Sequence, residues 1–402
     1  MLRFRDHVAH RLADLRQRGL LRDPVTSSVP SGTHLVIRGR RLLNLCSNNY
    51  LGLADDPRLR SALTSAAETW GSAAASRLIT GTLAPHREAE AALAGFVGHD
   101  DARLFTSGYA ANVGAIAGLL DAGDVVFSDA LNHASLIDGC RLSRARVVVY
   151  PHRDVAALAR LLETHRAEHR AALIVTDAVF SMDADLAPLA ALRRLADEHD
   201  AGLVVDEAHA LGVLGPGGRG WTAATGVRAD LVTGMLGKAF GLSGGFVASD
   251  ADTARLLETT ARSYVFSTGI HAALAAVVPD AVRWVQEADA ARARLRAHRE
   301  VLAGALPTGF ARPPEEFTPI LPIVLGEGAR ALAVSSALRE RGFFAQAIRP
   351  PTVPPGTARL RLVPIATHTD ADIASAAAAL TEVLARLPLE ALPHEAALGG
   401  SR

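Results

Sequence analysis

The chain has 402 residues, 49% hydrophobic and 21% charged, and Lys+Arg equals Asp+Glu, so the formal net charge is zero. That length suits one large domain with a smaller one, and the even charge gives no footprint for nucleic acid or for an anionic membrane. Two cysteines, Cys46 and Cys140, argue against a disulfide framework and fit a reducing, cytoplasmic setting, and no apolar run approaches the ~20 residues of a membrane span.

The Arg-rich opening contains Asp6 and Asp14, which a transit peptide avoids. Leu2, Val8, Leu12 and Leu15 fall near helical spacing, which predicts an amphipathic helix packed on the body or on a partner subunit. Short strands follow at 34–37 and 42–45, then a polar loop at 47–53 and a loop of small residues at 71–81. From about residue 102 the pattern alternates. Apolar, β-branched runs at 103–107, 124–129, 146–150, 172–177, 202–206, 230–234 and 244–249 are separated by Ala- and Leu-rich segments of helical length, such as 108–121, 154–169, 185–200 and 251–262. This is the signature of βαβ units: an α/β fold with a mostly parallel seven-stranded sheet, covered on both faces and binding ligands at the strands' carboxyl ends. The stretch 271–306 reads as a helix broken near Pro279 that links two domains. Strand runs at 318–326, 343–349 and 358–364, with helices at 328–341 and 370–386, then make a small C-terminal α/β domain. Prolines 350, 351, 354 and 355 stiffen the loop between the last two runs. The expected division is an N-terminal arm at 1–45, a large domain at 46–280, a small domain at 281–390 and a tail at 391–402, loosely ordered from Leu389.

Four short matches mislead. Gly215–Gly220 spells the dinucleotide fingerprint, but no apolar-periodic helix opens on it. Asp206-Glu207-Ala208-His209 spells a helicase box without the phosphate loop such enzymes need. Gly241–Gly245 matches the hydrolase elbow without a strand running into it. His165–His169 matches an inverted zinc-protease pattern in a polar, charged helix, where a solvated face is the better reading.

The chemistry converges elsewhere. Lys238 sits in a turn with Gly237, Gly241, Gly244 and Gly245. An amine held among apolar and glycine neighbours loses hydration, its pKa falls, and the neutral form can attack a carbonyl. A surface lysine in a Gly-rich loop is the alternative on this stretch alone. Asp206 ends the strand GLVVD, one helix-and-strand unit before Lys238, and His209 follows it. A carboxylate there is costly to desolvate without a cationic partner. Ser107–Asn112 ends a strand and opens a helix, whose N-terminus suits a phosphate unless it is simply a capped helix. His133 precedes another helix, where it could stack on a flat ring or serve as a polar cap. Ser181 follows the strand ALIVTD, as a ligand contact or as turn chemistry. A flat cofactor with a phosphate, an aldehyde and a basic ring nitrogen satisfies all of these together: pyridoxal 5′-phosphate.

At these residues the sequence resembles the α-oxoamine synthases, pyridoxal-phosphate enzymes of the fold-type I transferase class. The resemblance spans roughly residues 22–387 through SNNYLGL (47–53), GSAAASRLITG (71–81), SGYAAN (107–112), NHASLIDG (132–139), VFSMDAD (179–185), VDEAHALGVLGPGGRG (205–220), GKAFGLSGG (237–245), YVFST (264–268) and IRPPTVPPGTARLRL (348–362). It implies that Lys238 carries the cofactor, Asp206 partners the ring nitrogen and His133 stacks on the ring. It places Ser181 and His209 near the phenolic oxygen and Gly108 and Tyr109 along phosphate and ring. Asn48 and Arg361 become the grip on the amino-acid carboxylate, Thr352 and Arg22 the contacts to an acyl substrate, and Thr268 a reach to the phosphate site of a neighbouring subunit in a homodimer. The implied reaction condenses L-alanine with a pimeloyl thioester, carried on coenzyme A or an acyl carrier protein, as in biotin synthesis. Relatives that join glycine to short acyl groups are the alternative. Three positions depart from the family pattern. Met235 stands where Ser or Thr usually touches the phosphate, leaving Thr233 as a possible substitute, Asn49 replaces a common aspartate, and Asp177 replaces a common glutamate.

Overall fold

The computed structural model describes residues 3–387 apart from 23, 31, 309 and 311–315. Leu2 and the tail from Leu389 lie outside the described residues. The chain opens with helix α1 (Phe4–Gln17), the hairpin β1 (His34–Ile37) and β2 (Arg40–Asn44), and helices α2 (Pro57–Thr69) and α3 (Ala84–Val97). Alternating units follow: β3 (Asp101–Phe105), α4 (Gly108–Leu119), β4 (Val125–Asp129), α5 (Ala134–Leu142), β5 (Arg146–Tyr150), α6 (Val155–His165), β6 (Ala172–Asp177), α7 (Leu189–Glu198), β7 (Gly202–Asp206), α8 (Trp221–Thr225), β8 (Leu231–Met235) and β9 (Gly245–Ser249). Helices α9 (Ala251–Thr260), α10 (Arg262–Val265), α11 (Ala272–Gln286) and α12 (Asp289–Gly304) lead to β10 (Leu321–Gly326), α13 (Gly328–Glu340), β11 (Phe343–Phe344), β12 (Ala347–Ile348), β13 (Ala358–Leu362) and α14 (Asp370–Arg386).

Seven strands form the expected sheet in the order β3-β9-β8-β7-β6-β4-β5. Strand β9 runs antiparallel to both neighbours, and the other six run one way. Strands β4, β6 and β9 are buried at every residue, as strands covered by helices on both faces must be. The order reverses where β6 lies beside β4, and the crevice at a switch point opens at the carboxyl ends of the strands. The loops after β3, β4, β6, β7 and β8 therefore meet along one edge.

Two expectations change. Pro279 lies inside α11 without ending it, and the break falls at Glu287–Ala288. Nine buried residues of α11, packed on α2 and α3, outweigh the one backbone bond the proline gives up. The run 343–349 divides between two sheets: β11 pairs in parallel with β2, and β12 pairs antiparallel with β13. Leu43 and Leu45 thus share an apolar cluster with α13 and α14, which ties the N-terminal hairpin to the C-terminal segment. Helix α1 buries none of its residues, and its apolar Phe4, Val8 and Leu12 stand exposed.

Candidate active site

Lys238 occupies the turn between β8 and β9, closed by Leu236 N–H donating to Gly244 O (3.0 Å) and Gly241 N–H donating to Lys238 O (3.1 Å). Gly241 has φ +69°, and a Cβ there would fall 2.4 Å from the backbone N of Ala54, so glycine lets this turn lie against the 49–55 segment. Lys238 is half-buried. Loss of hydration brings its pKa down to about 8; the Arg361 charge adds to the fall, and Asp206 and Asp177 oppose it.

Asp206 ends β7 in register with Thr233 on one side and Asp177 on the other. Its carboxylate is buried and held by two donors, Asn112 Nδ2 (2.6 Å) and Ala208 N–H (2.8 Å). Among the described residues it forms no ion pair within 4 Å. Burial, and then the Asp206 charge, push the Asp177 carboxyl well above its ordinary range. The buried Asp206 carboxylate, with no ion pair among the described residues, suits a further cation, as a protonated ring nitrogen would be.

Asn112 fixes this arrangement from inside α4. Its Nδ2 also donates to Ser135 Oγ (2.8 Å), and its Oδ1 accepts from Thr233 Oγ1 (2.5 Å). The Thr233 proton is therefore engaged with Asn112 and not free for a phosphate oxygen. The signal for Asn112 was present in the sequence: a lone amide in the otherwise apolar helix GYAANVGAIAGL.

Helix α4 opens at Gly108 with Ser107 Oγ accepting from Ala110 N–H (3.0 Å). A Cβ on Gly245 would fall 2.5 Å from Gly108 N, and one on Gly108 would fall 3.1 Å from Met235 Cβ. The helix mouth, the start of β9 and Met235 thus form a tight cradle whose donors are backbone N–H groups, suited to an anion. Met235 fills the space between Gly108 and Gly237 and offers a thioether, not a donor. Tyr109 turns outward, half-exposed, with its hydroxyl donating to Asp138 Oδ2 (2.5 Å).

His133 caps α5, its Nδ1 accepting from Ser135 N–H (3.3 Å), while its own N–H donates to Asp177 Oδ2 (2.7 Å). Burial lowers its pKa, with Lys238 adding and Asp206 opposing. His209 is held neutral by burial and by nearby Lys238, Arg361 and His133. Its Nδ1 lies 2.5 Å from Tyr50 Oη. Tyr50, not assigned from the sequence, donates to Asn48 Oδ1 (3.4 Å). Asn48 Oδ1 accepts in turn from Arg361 Nη1 (3.1 Å), and Arg361 Nε donates to Ser181 O (2.6 Å).

A cavity of about 60 Å³ joins Leu131, His133, Asp177, Phe180, Ser181 and Thr352, with Val353 and Pro354 on its far wall. Arg22 does not line it; its Nη2 donates to Pro350 O (3.0 Å), two residues before Thr352. Thr268 does not line this cavity; it stands exposed on the loop after α10, with φ +64°. Asn49, at the other departure, braces its turn by donating to Asp55 Oδ2 (3.3 Å) and accepting from Ala54 N–H (3.1 Å).

The residues present fit pyridoxal phosphate: an amine of lowered pKa, a buried carboxylate lacking a cation, a neutral imidazole and a glycine cradle at a helix N-terminus. Known proteins agree. The model for aminotransferases of class I and II matches residues 40–380. The 8-amino-7-oxononanoate synthase of Geobacter sulfurreducens is 48% identical over 94% of this chain and 97% of its own. The serine palmitoyltransferase of Sphingomonas wittichii superposes with a TM-score of 0.88 at 32% identity, covering 94% of this chain and 96% of its own. An SPT structure with a PLP internal aldimine gives the same score and identity over 95% of this chain and 98% of its own. The chain belongs to the class I and II aminotransferase family of pyridoxal-phosphate-dependent enzymes, and within it to the α-oxoamine synthases that include 8-amino-7-oxononanoate synthase.

Proposed function

We propose that this enzyme condenses L-alanine with a pimeloyl thioester, releasing CO₂ and the thiol and forming 8-amino-7-oxononanoate. The observation that carries this reading is Arg361, whose guanidinium is held against Ser181 of the cavity wall and Asn48, with donors to spare and its charge felt at Lys238. An amino acid whose carboxylate takes the guanidinium brings its Cα to the lysine. Bound pyridoxal phosphate supplies an aldehyde for amines and a ring that withdraws electrons from Cα. Lys238 Nζ holds the cofactor and then accepts the α-proton. Asp206 keeps a proton on the ring nitrogen, and neutral His133 offers the ring an uncharged face. Arg361 has donors left beyond those given to Ser181 O and Asn48 Oδ1, and a guanidinium fork suits two carboxylate oxygens. Phe180, Val353 and Pro354 make an apolar wall for the acyl chain, with Thr352 and Arg22 beside it. The carrier is a thioester of coenzyme A or of an acyl carrier protein.

The test is a kcat/KM matrix of alanine, serine and glycine against pimeloyl, succinyl, acetyl and palmitoyl thioesters. Alanine with pimeloyl thioester should lead. Arg361→Ala should raise KM for alanine at least about tenfold, whereas Thr352→Ala should weaken only the acyl partner, since a neutral hydrogen bond is worth roughly 0.5–1.5 kcal/mol. A preference for glycine with acetyl-CoA would replace the reading with an aminoketobutyrate ligase.

The active unit we infer is a homodimer. Leu78, Ile79, Tyr109 and Phe266 are exposed apolar side chains. Ser76 Oγ donates to Val265 O (2.7 Å) and Ser263 Oγ to Ala110 O (2.6 Å), which gathers their segments near the mouth of α4. Thr268, in the left-handed region beside them, would serve a second copy's phosphate cradle in this reading. Mixing Lys238→Ala with Thr268→Ala chains should restore activity above the sum of the two, because hybrid dimers rebuild one intact site. An active monomer in sedimentation at assay concentration would refute the inference. The free Cys46 and Cys140, with thiols pushed up to about 11 by burial, suit the reducing cytoplasm.

A further inference from the structure

Arg361 sits on β13, but its guanidinium leans on segments outside the regular elements. Its Nε donates to a carbonyl in the turn 180–185, which crosses from β6 toward α7. That turn closes on itself through Phe180 N–H to Asp185 O (3.0 Å) and Ala184 N–H to Phe180 O (2.8 Å), and Ala184 takes φ +62°. It meets the C-terminal half of the chain at three further points. Arg359 Nη1 donates to Met182 O (2.9 Å) and Asp183 Oδ1 (2.6 Å), and Thr318 Oγ1 donates to Ala184 O (2.9 Å).

One side chain anchors the turn to the sheet. His152 follows β5, and its Nδ1 lies 2.8 Å from Asp129 Oδ1 at the end of β4. Its Nε2 lies 2.7 Å from Asp185 Oδ2 in the turn. Its ring stands edge-on to Phe180, with centroids 4.4 Å apart. Carboxylates accept and do not donate, so both ring nitrogens must carry protons, and the bridge is an imidazolium between two carboxylates.

We propose that His152 is a positioning residue for substrate binding: by tying Asp185 to Asp129 it fixes the 180–185 turn, and so sets Arg361 and the Phe180–Ser181 side of the cavity. This rests on the reading of Arg361 as the grip on the amino-acid carboxylate. The charges around the imidazole are few. Asp129 faces it from β4 and Asp185 from the turn. Arg153, next in the chain, donates its N–H to Asp129 Oδ2 (2.9 Å) and its Nη1 to Asp185 Oδ2 (3.2 Å). Asp177, at the end of β6, lies within electrostatic reach of Asp129. Burial works against the charge on His152, but the two carboxylates outweigh it and lift the pKa to about 9. This value lies above the ordinary 6.5, so the clamp's contribution is complete below pH 6.5 and disappears as pH rises through about 9.

His152→Gln in the holoenzyme should raise KM for alanine about tenfold while kcat changes less than threefold. Backbone hydrogen exchange at 180–186 should speed up at least fivefold over wild type, with Arg153→Ala giving a smaller change in both readouts. An unchanged KM for alanine in His152→Gln, where Arg361→Ala raises it, overturns the proposal. If Arg361→Ala leaves that KM unchanged, the carboxylate-grip reading fails instead, and with it the proposed effect on substrate, while the exchange data still report the clamp. Should His152→Gln not fold, the wild-type holoenzyme decides. Exchange at 180–186, corrected for the intrinsic pH dependence, should accelerate between pH 7.5 and 9.5; no acceleration overturns the proposal.

Discussion

Lys238→Ala is expected to end covalent capture of pyridoxal phosphate and to lower turnover by about four orders of magnitude or more, because in the proposed mechanism one amine serves as both cofactor anchor and general base. Borohydride reduction of the loaded wild type, followed by peptide mass mapping, should find the pyridoxyl group on Lys238, and label on another lysine would refute the assignment. The same burial that activates the amine costs stability. Its folded-state pKa of about 8 lies below the ordinary 10.5, so between those values the unfolded chain binds more protons and stability rises with pH. The cost is present in full below pH 8 and gone above about 10.5. Cofactor-free Lys238→Ala should therefore melt at a higher temperature than cofactor-free wild type at pH 7, with the gap closing by pH 10.5. A lower Tm for the variant at pH 7 would show that the lysine stabilises the empty site instead of straining it. Loss of function with gain in stability is the pattern of a strained catalytic group.

The sheet was legible because its strands repeat a simple signal. Runs such as ALIVTD and GLVVD are observed with the bounds read from the sequence, since strands buried on both faces show as unbroken apolar segments. Lys238 and Asp206 could be found because each sits where such a segment stops. The two-residue strands β11 and β12 could not, because two residues carry no periodicity and β11 pairs with β2, some 300 positions earlier in the chain. The break between α11 and α12 was misplaced because a proline is a local signal, whereas the packing of α11 on α2 and α3 is not. The support beneath the site was the least visible part. Asn112, Thr233 and Ser135 meet from three elements, and the bridge of Asp129, His152 and Asp185 does the same. Thr233 seemed suited to a phosphate because it lies just before the lysine turn. Register instead sets it beside Asp206, where its proton goes to Asn112.

That support determines what Asp206→Asn should do. Both Asp206 oxygens accept from donors, Asn112 Nδ2 and Ala208 N–H. An amide in the same place turns an N–H toward one of them in either orientation, so a buried donor loses its partner at a cost of roughly 1–3 kcal/mol. The chain should still fold, with a lower Tm. The chemical loss is larger. A carboxylate facing a ring cation is worth at most ~4 kcal/mol at an effective dielectric of 20, which corresponds to about a thousandfold in rate. The neighbours should shift as well. Without the Asp206 charge, the pKa of Lys238 falls further below about 8 and that of Asp177 moves back toward its ordinary range. A newly ionised Asp177 lies in register with position 206 on the adjacent strand and stays bound to the His133 N–H through Oδ2. Turnover should therefore drop about a thousandfold, with weaker retention of pyridoxal phosphate on dialysis. Asn112→Leu provides the companion test: it leaves the carboxylate in place but removes its holder, and should give a smaller loss of the same kind. If Asp206→Asn turns over near the wild-type rate while Asn112→Leu is impaired, the ring proton is held by another group, and Asp206 serves only to position Asn112.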